Sequence, residues 1–137
     1  LIIVERPPNF DQILAAFPDA DKPGVIFAFG EHIYNPSGKI IPAPLVAHEH
    51  VHCAHQSQFV KPELWWDLYI DDHDFRYSEE LAAHVAEFKA QLAGLDRNRK
   101  SKLLMATAAR LVAPLYNYVP PRKLTAAMFD IQRELNR

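Results

Sequence analysis

Apolar positions along the chain fall into short blocks separated by proline, glycine and polar punctuation. "NFDQILAAF" (9–17) sets Phe10, Ile13, Leu14 and Phe17 at helical spacing, with Asn9 as the expected N-cap. "VIFAFGEHIY" (25–34) begins as a continuous run of β-branched and aromatic residues, which predicts a strand. The turn signal "NPSG" (35–38) then brings the chain back as a short partner strand, "KII" (39–41). Pro44 suits a first helical turn and no Gly or Pro follows until Pro62, so a helix is predicted from about Pro44 to Ser57. A second strong helix lies in "DDHDFRYSEELAAHVAEFKAQLAG". Ser78 can cap it, Glu79 and Glu80 suit its positive end, Gly94 can stop it, and Leu81, Val85, Phe88 and Leu92 form its core stripe. Two more helices are predicted, over roughly 100–113 and 124–135, the last with Leu124, Met128, Ile131 and Leu135 in register. A helix, a hairpin and four further helices make a small α+β fold dominated by helix, expected to form one domain over residues 1–137.

Composition narrows the function classes. At 49% hydrophobic and 23% charged residues the chain is ordered and globular in type rather than disordered. A net charge of -2 gives no reason to expect nucleic acid or an anionic membrane as partner. The one basic run, Asp96 to Lys102, reads as a solvated helix start. No apolar run is long enough to span a bilayer, and the opening "LIIV" lacks the basic start and long apolar core of a signal peptide. Cys53 is the only cysteine, which rules out an internal disulfide and suits a reducing compartment, so a cytoplasmic location is expected. On the predicted helix Cys53 points about 100° from His52 and reads as a small buried residue. Trp65 and Trp66 are adjacent helical positions, which cannot both face one way, so one of them is expected in the core.

"LVAHEHVHCAHQ" (45–56) holds four of the chain's seven histidines and one glutamate. On a helix His48 and His52 lie one turn apart on one face, the spacing at which two imidazoles reach one ion. Glu49 flanks that face, His50 points almost the opposite way, and His55 sits at its edge. His48-Glu49-x-x-His52 is thus an H-E-x-x-H motif in the context that gives it meaning, a helix preceded by a hairpin. The alternative is a histidine-rich surface helix solvated by water. Leu45, Val46 and Val51 argue that the helix is packed, which makes unpaired clustered imidazoles costly.

A catalytic zinc site needs a third protein ligand. Glu79, Glu80, His73, Asp74 and His55 are available, and Glu80 is the choice, one turn before His84 on the next long helix. The competing explanation is that Glu79 and Glu80 only complement the helix dipole. H-E-x-x-H followed by a glutamate-bearing helix resembles the gluzincin metallopeptidases, in particular their compact minigluzincin members. "VIFAFGEHIYNPSGKIIPAPLVAHEHVHCAHQ", "WWDLYIDDHDFRYSEELAAH" and "RLVAPLYN" are similar to metallopeptidase-like proteins of tailed phages and prophages, over roughly Gly24 to Asn117.

That resemblance implies a zincin-like fold, one Zn²⁺ per chain on His48, His52 and Glu80, Glu49 as general base, and a peptide or protein as substrate. It also implies an electrophile for the developing oxyanion, for which His84, Arg76, Tyr77 and Tyr116 are candidates. Several gluzincins carry an aspartate one turn after the ligand glutamate, orienting a ligand histidine; this chain has His84 there. A second class of function stays open: a non-catalytic, zinc-stabilised interaction module, for instance in phage assembly. His55 completing a His48–His52–His55–Glu80 set would close the site and favour it. A third is a relative that binds partners and no metal. Glu49 separates the first two, because a structural site has no use for a carboxylate beside the metal.

Overall fold

The N-terminal residues and an internal hairpin build one small sheet, and six helices pack around it, in the computed structural model that describes Leu1–Arg137. In chain order the elements are β1 (Ile2–Ile3), α1 (Phe10–Ala16), a 3-10 turn (Pro18–Asp21), β2 (Phe27–Phe29), β3 (His32–Tyr34), α2 (Ala43–Gln56) and α3 (Pro62–Asp71). Then follow α4 (His73–Lys89), α5 (Arg97–Leu111), a second 3-10 turn (Pro114–Tyr116) and α6 (Leu124–Leu135). The class is mixed α+β and mostly helical, as the pattern of apolar positions predicts. No helix is long and apolar enough to cross a membrane.

The hairpin closes earlier than its turn signals suggest. β2 and β3 pair antiparallel with Ala28 opposite Ile33, and the chain reverses at Gly30–Glu31 inside the apolar run. Gly30 takes φ 64°, which a residue without a Cβ adopts cheaply, and a two-residue turn matches strand twist better than a longer corner. Asn35–Gly38 does turn, with Gly38 N–H donating to Asn35 O at 3.1 Å, but it leads towards α2. Lys39–Ile41 is therefore not a strand, and the second partner of β3 is β1, which runs parallel to it. The sheet order is β1-β3-β2.

α2 begins one residue before Pro44 and ends at Gln56, close to its predicted span. α3 is an additional helix, and both of its tryptophans are buried rather than one. The roughly 100° between adjacent helical positions is used, not wasted, because α3 is wedged between two walls. Trp66 Nε1–H donates to Ala28 O on β2 at 3.0 Å, while Trp65 Nε1–H donates to Glu79 Oε1 on α4 at 2.7 Å. α4 starts at His73 and not at Ser78, because the Asp72 carboxylate accepts from the backbone N–H of Asp74 and Phe75, each at 3.0 Å. Asp72→Ala is expected to cost about 1 kcal/mol. In a chain of this size thermal denaturation should show that as a midpoint lowered by about 3–5 °C.

Two apolar clusters flank α4. One joins Phe10, Ile13, Phe17, Phe27, Trp65 and Trp66 from α1, the sheet and α3; the other joins Val85, Ala108, Leu111, Ala127 and Ile131 from α4, α5 and α6. α2 and α4 pack against each other between them. α4 therefore buries residues on more than one side: an apolar stripe including Val85 and Phe88, and a polar one of Glu80, His84 and Glu87 at steps of four and three. That second stripe faces the histidines of α2.

Candidate metal centre

The crossing of α2 and α4 brings Glu80 to both histidines of the H-E-x-x-H motif. His48 Nε2 is 3.2 Å from Glu80 Oε1, and His52 Nε2 is 3.0 Å from Glu80 Oε2. All three side chains are buried. Tyr69 on α3 donates its hydroxyl to Glu80 Oε2 at 2.7 Å, fixing the carboxylate from a third helix. His84 joins from the next turn of α4, its ring edge-on to His48 at 4.6 Å between centroids. His48, Glu80 and His84 each offer a donor atom, and these lie within 4.8 Å of one another. The structure thus contains a buried His–Glu–His group able to hold a metal ion. His84 Nδ1 lies 2.7 Å from the Glu80 carbonyl, which can only accept, so Nδ1 carries the proton and only Nε2 is left to ligate.

The donor chemistry fits a divalent cation. Imidazoles and one carboxylate are the ligand types of zinc sites. Glu80 Oε1 is buried and has no hydrogen-bond partner, although His48 Nε2 and His84 Nδ1 stand 3.2 and 3.6 Å away. An unsatisfied buried carboxylate oxygen is expensive, and a cation among these residues would satisfy it. Behind His48 stands a residue that sequence reasoning does not single out: Glu87, buried, with Oε1 3.1 Å from His48 Nδ1. It reaches His48 from two turns after Glu80 rather than one. No known family profile, curated protein or solved structure matches the chain. The likeness to gluzincins therefore rests on the motif residues themselves.

The remaining candidates sort by position. Glu49 is buried beside the ligand face and lines the same cavity as His48, His52 and Glu80. Tyr116, half-buried on the second 3-10 turn, lines that cavity too. Arg76 and Tyr77 do not. Arg76 is buried and spends its guanidinium on the Tyr69 and Ile70 carbonyls at the end of α3 (2.7 and 3.0 Å), on His73 Nδ1 and on Asn117 O. It is a cap for α3, placed there by lying one helical turn, about 6 Å, before Glu80. Tyr77 turns the other way and donates to Asp130 Oδ2 on α6 at 2.7 Å. His55 is committed to Glu79, whose other oxygen holds Trp65, so it does not complete the His48–Glu80 group. His50 is exposed, as its place on the wheel requires. Asp74 is exposed and pairs with Arg122.

The cavity in front of the group has a volume of about 80 Å³ and is half open. Most of its lining is apolar, with Ile13, Phe17, Val25 and Phe27 among its members. Electrostatics follows from this burial. Burial pushes the Glu49 carboxyl above its ordinary value, only partly offset by His48 and His52. Burial would also raise Glu80, but the two imidazoles overcome it and hold the carboxyl well below the usual range. For His48 burial works towards the neutral form, yet contacts with Glu80 and Glu87 prevail and hold it at about 10. Burial and the neighbouring His48 charge drop His84 to about 4. Tyr116 is raised by burial and by Glu80, so it stays a hydroxyl donor.

These directions predict the pH response of the metal-free chain. A histidine raised from 6.5 to about 10 contributes stability that is complete below 6.5 and is lost as pH climbs through that window. Glu80 and Glu87, both lowered, contribute stability that is present above 4.5 and lost on acidification below it. His84, lowered from 6.5 to about 4, likewise loses its contribution as pH falls across that interval. The thermal midpoint of chelator-treated protein should therefore fall from pH 6.5 towards 10; a flat profile over that range would contradict these assignments.

Proposed function

We propose that the chain is a zinc-dependent metallopeptidase, or a closely related amide hydrolase, built on a zincin-like arrangement of the minigluzincin type. The observation that carries this reading is Glu49: a buried carboxylate with a raised pKa, facing the same cavity as His48, His52 and Glu80. His48, His52 and Glu80 are the proposed ligands of one Zn²⁺. When bound, zinc supplies Lewis acidity and brings the pKa of water from 15.7 to about 7.

The chain's own residues do the rest. Glu49 accepts a proton from the attacking water and delivers it to the leaving amine. Its raised affinity for protons helps both halves of that task near neutral pH. Tyr69 keeps the Glu80 carboxylate in place. Tyr116 is the proposed donor to the developing oxyanion, since of the four candidates it lines the cavity and keeps its proton. The apolar wall receives an uncharged substrate side chain and limits water at the reacting centre. An extended peptide pairing with the β2 edge meets a stop at Ala28, whose carbonyl already accepts from Gln56 Nε2 at 2.9 Å and Trp66 Nε1 at 3.0 Å. Pairing is thereby confined to the segment before Ala28. A cytoplasmic setting, the host's for a phage-encoded chain, agrees with the single cysteine.

One observation favours a second reading. If His84 joins His48, His52 and Glu80, the protein supplies four donors, and a closed site is structural. The chain would then be a zinc-stabilised interaction module, for example in phage assembly. Incubating the zinc-loaded protein with a mixture of unstructured peptides, followed by mass spectrometry, separates the two. New termini beside apolar residues support the hydrolase. One zinc per chain with no cleavage of any peptide supports the module.

A further inference from the structure

We propose that Arg110 is a positioning residue for the metal centre, acting on His48 through Glu87. The inference rests on His48 being a metal ligand, and not on hydrolysis. Glu87 Oε1 lies 3.1 Å from His48 Nδ1, and a carboxylate only accepts, so the contact keeps a proton on Nδ1 and leaves Nε2, on the Glu80 side, as the nitrogen that would bind a metal. Glu87 Oε2 is taken by Arg110 from α5, through Nε at 3.1 Å and through Nη2. Nη2 also reaches Thr107 Oγ1 at 3.4 Å, within α5. Three helices are thus joined in one line: guanidinium on α5, carboxylate on α4, imidazole on α2.

The two ends of that line differ in environment. Glu87 is 2% exposed, whereas the Arg110 side chain is 46% exposed. A half-exposed cation on α5 therefore holds the far oxygen of a buried carboxylate on α4. Without it that oxygen loses its partner and the carboxylate can turn away from His48, which removes the acceptor that sets the tautomer and ring angle of the imidazole. Two N–H groups of the guanidinium, Nε and Nη2, converge on that one oxygen, an anchoring that a single ammonium reproduces less well. Partners behind a ligating histidine typically change metal affinity by about 10–100-fold when lost.

The test is zinc affinity of the full chain by competition with a chromophoric chelator, beside the visible spectrum of the Co²⁺-loaded protein and the thermal midpoint of the metal-free one. Arg110→Met keeps the aliphatic stem and should weaken zinc roughly 10-fold and alter the Co²⁺ bands. Arg110→Lys should recover part of the loss. Combining Arg110→Met with Glu87→Ala should weaken zinc no further than Glu87→Ala alone, because both act through one contact. Zinc affinity of Arg110→Met within about two-fold of wild type, or losses that simply add, would overturn the proposal while leaving the metal site intact. Wild type that binds no zinc would overturn the ligand assignment itself. Should Arg110→Met not fold, the same cycle run with Arg110→Lys and Glu87→Gln decides between the same two outcomes.

Discussion

Replacing Glu49 with glutamine is expected to leave one zinc bound per chain and to slow peptide hydrolysis by about 10²–10⁴-fold. The amide matches the carboxylate in size and can occupy the same place beside His48 and His52, but it cannot take a proton from water. It also carries no charge, and burial already disfavours the charge of Glu49, so the variant should be at least as stable as wild type. Metal content and the initial rate of peptide cleavage are the two readouts. A variant that keeps both zinc and full activity would remove Glu49 from the chemistry and leave the hydrolase reading without its base.

The second large effect concerns Glu80. Its carboxylate faces His48 and His52 with opposite oxygens and accepts from Tyr69, so Glu80→Ala takes a partner from three buried groups at once. Loss of bound zinc is expected, together with a fall in stability of the metal-free protein of about 3–5 kcal/mol, as is usual when one member of a buried ion pair is removed. Chelator-treated wild type and variant compared by urea denaturation would measure that difference. A stability within about 1 kcal/mol of wild type would mean that the histidines are satisfied elsewhere.

What could be read from the sequence was what is local along the chain. His48 and His52 share a helix face by spacing alone, and Glu49's place beside them follows from the same geometry. Spacing alone does not separate Glu80 from Glu79; in the structure Glu80 meets the motif histidines and Glu79 meets His55 and Trp65. Glu87 and Tyr69 needed the crossing of α2, α3 and α4, which no spacing states. A hint was present all the same: Glu80, His84 and Glu87 form a polar stripe at helical period on a helix that also has an apolar one.

The errors have local causes too. Arg76 shares the face of Glu80, but its position one turn earlier meets the end of α3 instead of the cavity. The only turn signal read for the hairpin is Asn35–Gly38, whereas the chain closes at Gly30–Glu31 inside the apolar run and Ile2–Ile3 takes the place of Lys39–Ile41 beside β3. The spacing of apolar residues does not delimit α3, although Trp65 and Trp66 read as helical positions, because its large apolar residues point to several sides, Trp65, Trp66 and Tyr69 inward, Leu64 and Leu68 towards solvent.

The hydrolase reading requires a single metal ion held by His48, His52 and Glu80 across the α2–α4 crossing. Elemental analysis of protein purified without added metal would detect it, with wild type run beside His48→Ala, His52→Ala, Glu80→Ala and Glu49→Gln. About one zinc per chain, lost in the first three variants and retained in Glu49→Gln, is the expected result. Protein that carries no metal, or zinc that survives Glu80→Ala, would contradict it.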